Sequence, residues 1–533
     1  MKGVVSAGHD LTASAAIDVM KRGGNAFDAA IAATFCTFVC ESTLTSPGGS
    51  GFFNAHIASS GETKLYDFFS NVPGKGGNVN GDFLEIDFCP LDIQFADCVQ
   101  VFTIGKGSVA VPGMMAGLKA VHEAHCTMDL KDLMFYAITH ADNGVKLNDT
   151  QAYFIKILSP LLTITEEGRS IYMPKGTLLK SGDTIVNKGM AEAFKYLAKN
   201  GLDKFYTGEI GEKILEHFSS SNGNGGLITE RDLTEYNVEV REPLTFSHKG
   251  RTIYTNPPPS SGGSLIAFSL KISECFDFAK MAYNSPEYHE SLLKVMKITD
   301  LARARDFDRY IYDDDIRDKF LSESVIEKYR VMTDRDLRDL PSAKDDPMGS
   351  TTHLSVVDKD GNSAAITTST GTGCSFMIPG TGIMMNNMLG EEDLNPNGFH
   401  TQPAGVRMSS MMAPTIVLNN DAPELTLGSG GSNRIRNAIF QVILKAIDMG
   451  MKVEDAVLTP RCHFDGDVYQ AEGGVPKEAT KSISDKGVEV NHWSDKEMYF
   501  GGVHTTVMKR EQGSVIMEGA GDTRRGGVCL VNK

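Results

Sequence analysis

The stretch from residue 352 to residue 369 constrains the fold more than any other part of the chain. Thr352, Leu354 and Val356 alternate with His353, Ser355 and Val357, the period of two expected of a strand whose faces meet different neighbours. Asp358-Lys-Asp-Gly361 supplies a turn, and Asn362 to Ser369 reads as the returning strand. Near the N-terminus, after the glycine turn Ser46-Pro-Gly-Gly-Ser-Gly51, the segments FFNAHIA and ETKLYDFF repeat the arrangement around Ser-Ser-Gly. Two local hairpins commit the chain to antiparallel sheet.

Helical periods occupy other stretches. Ala13, Ile17 and Met20 before Gly23-Gly24 predict a helix over residues 10 to 22, and Ala29, Ala33, Cys36 and Cys40 predict a second. Further helices are expected after Pro112 through MMAGLKAVHEAH, and from Asp132 to Asn143-Gly144. Leu427-Gly-Ser-Gly-Gly-Ser-Asn-Arg434 leads into one more, with Ile435, Ile439, Val442, Ile443 and Ile447 inward and Gly450 at its end. Residues 180 to 345 read as mostly helical, interrupted by Asn256-Pro-Pro-Pro-Ser-Ser-Gly-Gly263. The charged run from 335 to 350, broken by Pro341 and Pro347, reads as exposed and mobile. Grouped helices with adjacent hairpins indicate an α+β fold rather than a doubly wound parallel sheet.

Charge and cysteine usage narrow the function classes. A formal net charge of -16 provides no broad basic field, so neither nucleic acid nor an anionic membrane surface is an expected partner. Nine scattered cysteines without CxxC pairs do not form a disulfide framework and fit a reducing compartment. The first twenty residues contain no apolar core of signal-peptide length, and the run near Ile31 to Cys40 is too short to span a bilayer. A soluble, cytoplasmic protein is the expectation.

The chemistry begins at the junction GSTTHLSVVD. A threonine hydroxyl needs a base, and the nearest base it can have is its own α-amine, which exists only if the chain is cut before it. That amine has a pKa of about 7.7–8.0, suited to general-base work near neutrality. A breakable segment ending at a strand that starts with Thr351 would permit such a cut, by attack of the Thr351 hydroxyl on the Ser350 carbonyl. An ordinary packed strand threonine remains the plainer alternative. Gly428 to Ser432, before a helix, could present backbone N–H groups to an oxyanion, or could be only a close-packed turn. Several motifs carry less. No GxSxG occurs, no Gly-Lys-Ser/Thr follows the glycines, His122-Glu-Ala-His125 is not a zinc motif, and Cys374 reads as a buried structural thiol. Met408, Met411 and Met412 read as core or pocket lining. Glu391, Glu392 and Asp393 form either a solvated turn or a site for a substrate ammonium.

Taken together, KRGGNAFDAAIAA, SPGGSGFF, GSVAVPGMMAGL and HADNGVKLND, followed in order by STTHLSVVDKDGN, GIMMNNM, RMSSMMAPTIVL and GSGGSNRI, resemble the γ-glutamyltransferase (γ-glutamyltranspeptidase) family of N-terminal-nucleophile hydrolases. The resemblance implies a four-layer αββα sandwich and autoproteolysis between Ser350 and Thr351. It implies a large subunit, 1–350, and a small catalytic subunit, 351–533, that stay associated as one compact heterodimer. Thr351 would take a γ-glutamyl group from a glutathione-like amide and pass it to water or an amino acid. No cofactor or catalytic metal is implied, because nucleophile and base sit on one residue.

By the same resemblance, Ser369 is the hydroxyl residue beside the nucleophile. The oxyanion donors fall on Gly430, Gly431 and Ser432, and the serine pair on Ser409 and Ser410. The carboxylate for the substrate amine lies at Glu391 or its neighbour Glu392, and Asn387 is a further substrate-binding residue. Departures bear on substrate. In Asp67-Phe-Phe-Ser-Asn-Val-Pro73, Phe69 stands where the family carries the arginine that grips the substrate α-carboxylate, and an aromatic ring cannot make that bidentate contact. Gly371 replaces an asparagine and Met388 a glutamine. A shorter loop between Glu392 and Arg407 suggests an open pocket. Arg407, Arg434 and Lys75 are the candidate replacement cations. The alternatives are an acylase for another amide and, from a different class, an unprocessed binding protein without chemistry.

Overall fold

A computed structural model of the chain describes residues 2–77, 86–95, 98–219, 225–340, 350–395, 397–511 and 514–532. Thirteen strands build its two large sheets. In chain order they are β1 (Gly3–Ala7), β2 (Ser50–Ile57), β3 (Glu62–Phe68), β4 (Glu239–Arg241), β5 (Leu244–His248), β6 (Arg251–Thr255), β7 (Thr352–Asp358), β8 (Ser363–Ser369), β9 (Thr415–Asn419), β10 (Ala422–Gly430), β11 (Gly502–Glu511), β12 (Ser514–Ala520) and β13 (Val528–Asn532). The first sheet runs β13-β1-β7-β8-β2-β3-β4 and the second β12-β11-β10-β9-β6-β5. Every neighbouring pair in both is antiparallel. Strands from either side of residue 350 interleave in the first sheet, and in the second the two from before it form one edge, so both segments contribute to both sheets.

The sheets pack face to face through β7, β8 and β1 against β10 and β11. Helices α1 (Asp10–Lys21) and α2 (Ala26–Cys40) cover the outer face of the first sheet. Helices α3 (Ser261–Ser273) and α5 (Arg434–Ile443) cover the second, with α4 (Pro286–Asp306) packed on α3, which completes the αββα sandwich. The sequence AFDAAIAATFCTFVC explains the position of α2. It is apolar nearly all round, and every residue of it is buried. Asn25 and Asp28 close a capping box at its start, and Asp358 accepts from the Ala26 amide at 3.0 Å, tying α2 to the β7–β8 turn.

Strand β7 is buried on both faces. Leu354 and Val356 join the core under α1 and α2, while His353 and Ser355 face the second sheet. That polar face satisfies itself. His353 bonds Thr367 Oγ1 and Ser355 Oγ at 2.8 Å each, and Ser355 donates to the His504 carbonyl at 3.1 Å. Burial holds the His353 ring neutral, its pKa well below the usual histidine range.

Three expectations need correction. The region from 180 to 345 is not mostly helical throughout, because β4, β5 and β6 lie within it. The β5–β6 turn uses Lys249 and Gly250 at φ 47° and 77°, a two-residue hairpin loop with a lysine where Asn or Asp is usual. The charged run is anchored at its start, where Leu337 and Leu340 are buried around the short 3₁₀ turn Leu337–Asp339; residues 341–349 lie outside the described residues. Helix α5 gives way to a π turn at Leu444–Asp448, which rotates Ile447 out to a half-buried position. Among the described residues no helix is long and apolar enough to cross a membrane.

Candidate active site

The β7–β8 register fixes the centre of the site. Thr352 pairs with Thr368 and His353 with Thr367, so one step further Thr351 stands opposite Ser369. Alternation puts both side chains on the His353 face, toward the second sheet. Ser350, Thr351 and Ser369 are all buried. The Ser369 hydroxyl donates to the Ser350 carbonyl oxygen in a short bond and accepts from the Gly371 amide at 2.9 Å. A donor is therefore already seated on the carbonyl that a Thr351 hydroxyl would attack.

The second sheet brings the rest. Strand β10 ends at Gly430 and α5 begins at Arg434, so the Gly431, Ser432 and Asn433 amides lie between strand and helix at a helix N-terminus. Gly431 and Ser432 take φ of 127° and 50°, which turns the chain sharply there. Gly430 is required by closeness, since a Cβ on it would lie 2.0 Å from the Thr351 carbonyl oxygen. Arg525 donates to that same oxygen at 3.0 Å. Burial pushes the Arg525 pKa down to about 10, with Arg434 adding to the effect and Asp522 and Glu41 opposing it.

On the helix side, Thr352 Oγ1 donates to Glu41 Oε2 at 2.6 Å, and Thr12 Oγ1 to Glu41 Oε1 at 3.3 Å. Burial raises the Glu41 pKa to about 7, against the pull of these two hydroxyls. Neither Arg525 nor Glu41 is marked by any local motif; both are distant in sequence and near Thr351 only through the sandwich.

A cavity opens beside Thr351 and Ser369. Phe69, Met388, Leu394, Met411, Met412 and Ile435 form its apolar wall, and Glu391, Asp393, Ser410 and Ser432 its polar one. Two short 3₁₀ turns, Met388–Gly390 and Glu392–Leu394, aim Glu391 and Asp393 into it while Glu392 is exposed. The Glu391 Oε1 accepts from the Thr372 amide at 3.1 Å, and Ser432 Oγ donates to Asp393 Oδ2 in a short bond. Burial, with Asp393 beside it, pushes the Glu391 pKa up to about 8.

Several residues expected to touch substrate do not line this cavity. Glu392 points away. Asn387 shapes the turn instead, accepting from the Thr372 and Gly373 amides at 2.8 and 3.1 Å, and a Cβ on Gly371 would strike it at 2.2 Å. Ser409 donates to the Leu394 carbonyl at 3.2 Å, leaving Ser410 as the serine that faces inward. Ser432 lines the cavity, whereas Gly430 lies against the Thr351 backbone and Gly431 against Gly501. Cys374 is a buried thiol pushed up to about 12, as its apolar surroundings demand. His122 bonds the Met128 carbonyl and His125 the Tyr66 hydroxyl, at 2.9 and 2.7 Å.

The candidate replacement cations are engaged elsewhere. Arg407 donates to the Phe69 carbonyl in a short bond, to Tyr236 Oη at 2.5 Å and to the Asn237 carbonyl at 2.7 Å, and approaches Asp67 at 3.5 Å. Arg434 lies over the Tyr499 ring, and Lys75 pairs with Glu235 at 3.8 Å. Phe69 itself stacks on Phe52, centroids 5.4 Å apart and rings within 12° of parallel. Beyond Asn395, the shorter loop packs His400 and Phe399 onto Phe88.

Known proteins share this arrangement of the whole chain. The glutathione hydrolase proenzyme of Bacillus subtilis strain 168 is 29% identical over 553 residues, spanning 99% of this chain and 91% of its own. The acylase ACY 1 proenzyme of Pseudomonas sp. strain SE83 is 28% identical over 498 residues, spanning 92% and 87%. The crystal structure of cephalosporin acylase from Bacillus halodurans shares the fold, with a TM-score of 0.84 at 22% identity over 99% of this chain and 96% of that one. The family model described as gamma-glutamyltranspeptidase matches residues 12–531. With the match running through both sheets and across the Ser350–Thr351 junction, the chain belongs to the gamma-glutamyltranspeptidase family.

Proposed function

We propose that the protein is an N-terminal threonine amidohydrolase and acyltransferase that makes its own nucleophile. The observation that carries this reading is the Ser369 hydroxyl on the Ser350 carbonyl, with Thr351 opposite Ser369 in the register. In the first step Thr351 Oγ1 bonds to the Ser350 carbonyl carbon, the Ser350–Thr351 C–N bond breaks, and the proton passes to the new α-amine. Ser369 stabilises the oxyanion as it forms. Water then hydrolyses the ester, leaving a Ser350 carboxylate and a free Thr351. The products, 1–350 and 351–533, stay together because both sheets contain strands from each.

In turnover the Thr351 α-amine takes the hydroxyl proton, Oγ1 bonds to the amide carbonyl carbon, and the protonated amine leaves. Amides at Gly431 and Ser432 are suited to the oxyanion. Water or an acceptor amine releases the acyl group and restores Thr351. Glu391 and Asp393, with Ser410 and Ser432, hold the acyl chain; an ammonium suits them.

The relatives' names suggest two acyl classes, the γ-glutamyl group of glutathione and the acyl groups of acylases. The cavity favours the second, since Phe69 and the apolar wall occupy the end at which a γ-glutamyl α-carboxylate would need a cation. Rapid quenching with an acyl anilide followed by mass spectrometry tests the mechanism. The acyl mass belongs on Thr351 of the chain that begins there. Turnover with the label on Ser369 or Cys374, or with no label on the chain at all, would sink it.

A further inference from the structure

The acyl cavity has an unusual charge balance for a site in this position. None of the described residues lining it carries a cationic side chain, and two of them carry carboxyls. Arg407 does not line the cavity and is engaged by the Phe69 carbonyl, Tyr236 and the Asn237 carbonyl. Arg525 is spent on the Thr351 carbonyl. Burial and the neighbouring Asp393 push Glu391 up to about 8, so the acidic end of the cavity resists further negative charge. An ammonium suits it, and a carboxylate would add to the repulsion.

The distances limit the acyl chain. Gly371 donates to Ser369 Oγ at 2.9 Å, and a Cβ placed on Gly371 would lie 2.9 Å from Glu391 Oε1. One residue without a side chain therefore separates Ser369, opposite the nucleophile, from the acidic end. Only a short chain fits between Thr351 and the two acids.

Resting on the Thr351 reading above, we propose that the site selects amides of short amino acids whose acyl chain ends in an ammonium and carries no carboxylate, the 4-aminobutyryl group being the simplest example. Glu391 and Asp393 bind the ammonium. The Phe69, Met388 and Met411 wall excludes a charged branch, since a carboxylate there would lose its water without gaining a partner.

Four p-nitroanilides separate the two features: butyryl, 4-aminobutyryl, glutaryl and γ-glutamyl. The amine should raise kcat/KM about tenfold or more from butyryl to 4-aminobutyryl, and the carboxylate should lower it by a similar factor from 4-aminobutyryl to γ-glutamyl and from butyryl to glutaryl. Asp393→Asn, checked for normal chain cleavage, should shrink the 4-aminobutyryl to butyryl ratio. Faster turnover of γ-glutamyl than 4-aminobutyryl, or no gain from the amine, overturns the specificity while Thr351-dependent butyryl cleavage keeps the mechanism. Failure of the processed enzyme to cleave any of the four overturns both.

Discussion

In the proposed mechanism, replacing Ser369 with alanine removes one atom from the step that creates the nucleophile. In the uncut chain Ser369 Oγ is seated on the Ser350 carbonyl oxygen. As Thr351 Oγ1 attacks, that oxygen gains charge in a buried setting, and removing one such donor typically costs about 3 kcal/mol, or 10²–10³ in rate. The same change strips the Gly371 amide of its acceptor, which costs about 1–3 kcal/mol of stability if no water replaces it. The two effects are separable. Pulse-labelled chain from cell-free translation gives the half-time of self-cleavage, and thermal melting gives the stability. Ser369→Ala should cleave about 10²–10³ times more slowly while melting only a few degrees lower. Ser369→Thr, which keeps the hydroxyl, should cleave within about tenfold of the unaltered chain. Cleavage of the alanine variant at the original rate would refute the assignment of Ser369 to the scissile carbonyl.

Other consequences follow from the same contacts. Phe69→Arg puts a cation beside the two acids and should raise the γ-glutamyl to butyryl ratio about ten- to a hundredfold, measured on chains that have cleaved normally; an unchanged ratio would clear Phe69 of a role in specificity. Gly430→Ala forces a methyl to 2.0 Å from the Thr351 carbonyl oxygen, so cleavage should be blocked or slowed beyond measurement on a gel. Glu391 and Glu41 titrate at about 8 and about 7 in the folded chain, above a carboxyl's unfolded value near 4.3, so the folded form binds more protons between these limits. The contribution of these two carboxyls to stability should accordingly be fully present on the acid side and be lost as pH rises from about 4.3 to about 8, while buried neutral histidines such as His353 contribute with the opposite sign. Glu391→Gln should remove a part of that slope on the order of 1–3 kcal/mol, read by denaturant titration at pH 5 and pH 8.

How much of this was legible in the sequence depends on how local each signal is. The β7–β8 hairpin, α1 and α2 follow from periodicity and turn residues, and the sheets' antiparallel character follows from the hairpins. The β5–β6 pair escaped because its turn places Lys249, a residue with a Cβ, at positive φ, where composition gives little warning. Family likeness located the Thr351 and Ser369 pair, which the register then set opposite each other. It could not say which of the adjacent residues Glu391, Glu392 and Asp393 face the cavity, because that depends on two 3₁₀ turns that expose only the middle one. Ser409 and Ser410 were separated in the same way, by one alternation of the backbone. Arg525 and Glu41 had no signal in their own neighbourhoods, and only the meeting of the two sheets and α2 brings them to the threonines.

The central claim is that Thr351 becomes a chain terminus by its own chemistry. Intact-mass spectrometry of the purified protein addresses it most directly. The account predicts two chains, 1–350 and 351–533, with threonine at the start of the second, and a single uncut chain for Thr351→Ala. An uncut 57.8 kDa chain that nevertheless hydrolyses acyl anilides, or a Thr351→Ala chain still cut at Ser350, would contradict it.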